Sequence, residues 1–255
     1  MTDHFDSPKE VLSNARDHIN DLHARINAFF ERKPYAPVID YDHDTGQDVH
    51  KIRLTAKLPG KAIAVAKDAL SNLRDCLDHA VYASACTLKP GKAITRTAFP
   101  FAYDAAGVHD KLNREFIDIS PEIRTLLEGL CPHKTGNQLL WGLNAARNVK
   151  THRVLVPLAA AAMGNTLSAA EMNIVGGGQF GYSRWDAAKN EVEYLRVGRG
   201  SKVKNKVDMS FSVLFGDVEV FGGKDAVATL NAAAGEVQSI LLAIEAETCR
   251  ILRGA

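Results

Sequence analysis

Two short segments carry residue types that could work together on a phosphate. Arg74-Asp75-Cys76-Leu77-Asp78-His79 and Arg147-Asn148-Val149-Lys150-Thr151-His152 share the form Arg-[Asp/Asn]-x3-His. On a helix the second and sixth residues lie four apart and share a face. Asp75 or Asn148 would then hold its histidine in one tautomer while the arginine reaches in from the side. A histidine base, a polar orienting group and a cation for phosphate are what metal-free RNA cleavage requires. The candidate catalytic residues are therefore His79, His152, Arg74, Arg147 and Arg153. The candidate binding residues are Asp68, Asn72, Asp75, Asn148 and Lys150. A plainer reading of the same residues is a helix salt link from Asp75 to His79 and a buried histidine near Trp141. The segments alone do not choose between the two.

The element that must position the first segment is residues 61–88. Ile63, Ala66, Leu70, Leu73, Leu77, Val81 and Ser84 recur at helical spacing, which predicts a long amphipathic helix. Asp68, Asn72, Asp75 and His79 fall almost opposite the leucines. This second stripe is short and polar, whereas a plainly solvated helix face is usually rich in long charged side chains. The stripe is therefore expected to meet another part of the protein, a second subunit or a ligand. Upstream, Ser7-Pro8-Lys9-Glu10 reads as a helix start, with Ser7 as cap and Glu10 completing a capping box. Val11, Ala15, Ile19, Leu22, Ile26 and Phe29 give that helix one apolar face, with the 61–88 helix as its nearest partner.

Between these helices a period of two on both arms, around Asp44-Thr45-Gly46-Gln47, predicts a hairpin. Helices are expected over 7–32, 61–88, 138–153 and 225–252, with lesser ones over 104–116, from Ser120 to near Gly129, and at 168–172. Strands are expected at 180–185, 191–197, 207–215 and 218–221. The fold class is α+β: a long-helix bundle with an inserted β-hairpin and a small C-terminal antiparallel sheet closed by a long helix. The expected division is a mainly helical region with the hairpin, 1–163, and a β-rich region plus C-terminal helix, 164–255, or one integrated domain.

Three other patterns carry less. Gly176-Gly177-Gly178-Gln179-Phe180-Gly181 fits Gly-x-Gly-x-x-Gly, but a dinucleotide site needs a helix next, and Tyr182–Trp185 reads as strand. Arg196, Arg199, Lys202, Lys204 and Lys206 form a basic run without an aromatic stacking platform, so a lysine-protected edge is favoured over a nucleic-acid patch. Asp40-x-Asp42-x-Asp44 has the start of a calcium loop, but Gly46 is one position late and Lys51 stands where a bidentate Glu is needed.

Composition sets wide bounds. A net charge of +1 points to no polyanionic or polycationic partner in bulk. Cys76, Cys86, Cys131 and Cys249 are scattered, with no Cys-x-x-Cys, so a zinc ribbon and a redox pair are both excluded. Histidines and cysteines lack ligand spacing, so no metal and no cofactor are expected. The first ten residues have no apolar core of the kind a signal peptide needs, and no run approaches the roughly 18 apolar residues of a membrane span. The expectation is a cytoplasmic protein with no membrane partner. RNA or a nucleotide is the expected ligand if the Arg–His segments are catalytic. A homo-oligomer is expected if the polar stripe is a subunit contact.

The Arg–His spacing resembles the Arg-x4-6-His motif of the HEPN superfamily, helical proteins that include metal-independent ribonucleases and non-catalytic nucleotide binders. Over most of its length the chain also looks like a group of bacterial proteins with no assigned activity. That likeness rests on Pro34-Tyr35 before the hairpin, on a helix resembling Asp-Ala-Leu-x-Asn-Leu-Arg-x-x-Leu-Asp-His at Asp68–His79, and on Asn148–Arg153. In the last segment the group more often has Asp-Lys-His-Arg, where this chain has Lys150-Thr151-His152-Arg153. The second resemblance implies more weight on Lys150, His152 and Arg153 than on Arg147. Two functional readings follow: an RNA- or nucleotide-directed protein with its site between the 61–88 and 138–153 helices, or a non-catalytic structural or interaction protein whose polar stripe is a contact.

Overall fold

The computed structural model describes residues 4–148, 155–161, 172–173, 178–179, 184–186, 189–203 and 209–254. Lys150, His152 and Arg153 lie outside the described residues, as do Lys204, Lys206, most of the glycine-rich segment and the 168–172 helix apart from Met172. The chain forms two compact units: residues 1–24, 60–155 and 215–255 in one, and 25–59 and 156–214 in the other. Each unit is assembled from separated stretches, so the division does not follow the 163/164 boundary expected from the sequence. The fold is α+β, as the periodicities imply.

The first unit is helical. It holds the start of α1 (Asp6–Glu31), α2 (Gly60–Leu88), α3 (Ala105–Asp110), α4 (Pro121–Gly129), α5 (Gln138–Asn148) and α6 (Ala226–Leu252). Its centre is α2, which packs against α6 and α5. Leu70, Leu73 and Leu77 are fully buried, and each contributes roughly 1.5–3 kcal/mol by leaving water. Ala62, Ala66, Ala69 and Ala80 are buried with them, as are Ala233 and Ala234 of α6. Small side chains on both helices permit a close approach. Ser84 belongs to this interior: its hydroxyl meets Thr248 Oγ1 at 2.7 Å, and Thr248 in turn donates to the Ile244 carbonyl at 2.7 Å. The buried hydroxyl pair is thus satisfied within the protein.

Helix α1 begins two residues earlier than its capping pattern implies, at Asp6 and not Pro8. Lys9 N–H donates to the Phe5 carbonyl at 3.3 Å, and Phe5 is buried. Ser7 therefore lies inside the first turn, not at the cap. Burial at Phe5, Pro8, Leu12, Ala15, Ile19 and Leu22 keeps the expected helical stripe. Helix α4 starts as read, with Ser120 Oγ accepting from Ile123 N–H and Pro121 in its first turn. Asp104 caps α3 through Gly107 N–H at 2.8 Å, and the helix runs on as a π-helical turn over Lys111–Glu115. Residues 218–221 form turns, not the expected strand, with Val220 at φ 70°. Helix α6 is long and apolar enough to cross a membrane by length and composition alone, although polar residues such as Glu236, Gln238 and Glu245 interrupt its apolar run. Its alanines make the segment apolar without a run of large side chains, and one face is buried in this unit.

The second unit is built on the expected hairpin. Strands β1 (Tyr35–Asp42) and β2 (Gln47–Leu54) pair antiparallel, with Asp42 opposite Gln47. Asp42 Oδ1 accepts from Asp44 N–H at 3.0 Å and Thr45 N–H at 3.3 Å, and Gly46 supplies the positive φ of 70° that closes the turn. Two short sheets complete the unit: β3 (Leu155–Ala161) with β9 (Met209–Phe215), and β4 (Met172–Asn173) with β8 (Lys202–Val203). Strand β2 pairs antiparallel with β7 (Glu191–Gly198), which also pairs β5 (Gly178–Gln179) and β6 (Arg184–Asp186). Only that last piece of the expected 180–185 strand is described.

Of the glycine motif, Gly178 and Gln179 are described, and they pair with Val197 and Arg196 of β7. Glu191 is buried and takes Lys51 at 3.0 Å and the Arg53 fork at 2.9 and 2.7 Å. Burial pushes its carboxyl up, but the two cations outweigh burial and hold it below the usual range. Arg196, from the basic run, is spent on Asp42 at 2.6 Å and on Glu193.

Candidate functional site

The polar stripe of α2 is best followed residue by residue. Asp68 is exposed, and its backbone carbonyl accepts from Asn72 Nδ2 at 3.0 Å, an intrahelical contact. Asp75 pairs with Arg147 of α5 at 3.2 Å, both side chains being about two-fifths exposed (42% and 41%). The first Arg–His segment therefore touches the second, but through its orienting carboxylate and not through its histidine. Asn148 ends α5 exposed.

Arg74 turns away from any phosphate. Its side chain is only 11% exposed, ion-pairs with Asp78 one turn on, and lies 4.5 Å from the centroid of the Phe101 ring. Its Nε and Nη1 are buried without an aligned hydrogen bond. Asp78 is also occupied on its other oxygen, which accepts from Phe99 N–H at 2.7 Å. The pair pins the 99–101 stretch against α2. Cys76, on the buried side, donates to the Pro8 carbonyl at 3.3 Å, and burial pushes its thiol up to about 12. At neutral pH it is not a nucleophile.

His79 is exposed and stands on the wall of an open cleft of about 570 Å³. Ser7 Oγ of α1 lies 3.0 Å from its Nδ1, across 72 positions of sequence. The expectation that His79 meets a polar group from another segment is met by Ser7; the Asn148–Arg153 segment favoured for that role lies, beyond Asn148, outside the described residues. His4, Asp6, Glu10, Asp78, Tyr82 and Thr97 also line the cleft, and among the described residues no Lys or Arg does. The wall is acidic, the wrong sign for gathering a phosphodiester.

Sequence reasoning missed Ser7. Its Ser-Pro-x-Glu context reads as a helix cap, and no local pattern reports a contact between residues so far apart. Among the described residues no group of three or more His, Cys, Asp or Glu is arranged to hold a metal. Comparison with family models, curated proteins and solved structures returns no match.

Proposed function

We propose that this chain is a non-catalytic structural or interaction protein as far as RNA is concerned, with the polar face of α2 serving as an internal contact. The observation that carries this reading is the fate of the two described arginines. Arg74 is spent on Asp78 and Phe101, and Arg147 on Asp75. Neither is left to bind a phosphate as its charge grows. On this reading Arg74→Ala removes a mostly buried cation from Asp78 and from an aromatic face, which costs about 1–3 kcal/mol. Arg147→Ala costs under about 1 kcal/mol, because the pair is exposed and screened.

A second reading is favoured by one contact. The Asp75–Arg147 pair brings the two Arg–His segments side by side, as an RNA- or nucleotide-directed HEPN-like site would require. An RNA-cleavage assay in EDTA, run beside thermal melts of wild type, Arg74→Ala and His79→Ala, separates the readings. The structural reading expects no cleavage and a clear drop in melting temperature for Arg74→Ala. Metal-free cleavage to a cyclic phosphate, lost in His79→Ala with little change in the melt, would establish the second reading instead.

A further inference from the structure

The contacts along α2 account for Arg74, Asp75 and Asp78, while His79 meets, among the described residues, the hydroxyl of Ser7. We infer that Ser7 is a nucleophile activated by His79, and that the cleft accepts small acyl esters that carry no negative charge. This goes beyond the proposed function, which assigns the cleft no work.

The first argument is the pair itself. In the tautomer with its proton on Nε2, His79 offers Nδ1 as acceptor to the Ser7 hydroxyl at 3.0 Å. A hydroxyl and an imidazole within hydrogen-bond reach are the minimum for an activated serine. The pairing did not arise as helix capping, because Ser7 lies within the first turn of α1 and its hydroxyl is free of that task. The second argument is place. Both residues are exposed at the wall of a cleft of about 570 Å³, within the size range of small-ligand pockets. The third is surroundings. In the first turn of α1, Pro8 has no N–H and Lys9 N–H goes to Phe5, which leaves the Asp6 and Ser7 N–H groups at the helix start, and Thr97 adds a hydroxyl to the wall. These are the donors on hand for a developing oxyanion. Asp6 and Glu10 set the charge preference: an anionic ester is repelled, a neutral or cationic one is not.

The chemistry balances without a further reagent. His79 takes the Ser7 proton as Oγ bonds to the acyl carbon. The bond from that carbon to the leaving alcohol oxygen breaks, and the alcohol departs with the proton from His79. Water then attacks the acyl-serine, giving its proton to His79. The carboxylic acid leaves, and the proton returns to Ser7 Oγ. The net reaction is ester plus water to acid plus alcohol.

The test is labelling of the intact protein with a neutral fluorophosphonate, with the adduct mapped by mass spectrometry. The expected result is one adduct on Ser7 that forms at least about 100-fold more slowly in His79→Ala. Should His79→Ala fold poorly by circular dichroism, His79→Gln serves in its place, since it retains a hydrogen-bond partner but cannot take the proton. No adduct in wild type, adducts only at other residues, or an unchanged rate in the histidine variant would overturn the inference. A p-nitrophenyl ester series then reads the charge preference. Acetyl esters turned over at least about 10-fold faster than succinyl esters, with activity lost in Ser7→Ala, is the expected pattern, and the reverse order refutes the assignment of substrate class.

Discussion

Two glycines in the helical unit should respond in opposite ways to one substitution. Gly142 sits in α5, where an added Cβ would lie 2.3 Å from Phe221 Cε1 and 2.6 Å from its Cδ1. Carbon atoms prefer about 3.5–4.0 Å, so the overlap exceeds about 1 Å. Phe221 has no easy escape: it is fully buried and packs on Phe215, itself buried, with ring centroids 5.3 Å apart. Overpacking of this kind costs about 1–3 kcal/mol, and the size of the overlap places this site toward the upper end. Alanine recovers about 1 kcal/mol of helix propensity over glycine. Gly142→Ala should therefore lose about 1–2 kcal/mol net, a fall of roughly 2–8 °C in melting temperature for a chain of this size. Gly235 in α6 is the matched control. It is exposed, and nothing lies within 4 Å of its added Cβ. Gly235→Ala keeps only the propensity gain and should raise the melting temperature by roughly 2–4 °C. Melts followed by circular dichroism decide the matter. Stabilisation by Gly142→Ala would mean that α5 does not press on Phe221 as described, and with it would go the placement of Arg147 beside Asp75.

Two further expectations concern titration and reactivity. His50 in β2 is buried, with Tyr194 at its edge, and burial lowers its imidazole below the ordinary 6.5 despite Asp48 nearby. A depressed histidine contributes stability that is full above the unfolded value and lost as pH falls through the folded one. Urea unfolding between pH 7.5 and 5 should show that loss, and His50→Phe should flatten the slope; an equal slope in the variant refutes the assignment. Cys131 and Cys249 are exposed while Cys76 is buried with its thiol pushed up to about 12. A thiol-reactive disulfide reagent should modify the first two quickly and Cys76 only after denaturant is added, and early modification of Cys76 in native protein would contradict its packing.

How much was legible follows from the range of each interaction. Repeats of three and four placed the long helices almost to the residue, because α2 buries its leucines on one face and α1 its own stripe. The alternation around Asp44-Thr45-Gly46 placed the hairpin, because one turn fixes the register of both arms. The division into units was not legible. It depends on which distant stretches pack together, and the chain enters each unit more than once. The candidate site failed in the same way. Local spacing joined Arg74, Asp75 and His79 into one team, since an i, i+4 rule sees only one helix. The folded chain sends the three in different directions, to Phe101, to Arg147 and to Ser7.

That dispersal has a physical cause within α2 itself. Consecutive positions on a helix point about 100° apart, so Asp75 borders a different neighbour from the Arg74–Asp78 pair once apolar packing has fixed the helix's rotation. Burial of Leu70, Leu73 and Leu77 sets that rotation. The polar residues take the partners that come within reach: an aromatic ring and a backbone N–H for Arg74 and Asp78, a helix-end arginine for Asp75. Each partner supplied from within the protein removes a charge from use on a ligand. His79 is exposed at the lip of the cleft and, among the described residues, is bonded to a hydroxyl and ion-paired with no carboxylate. It therefore keeps the proton-transfer capacity that its neighbours on the helix have given up to packing.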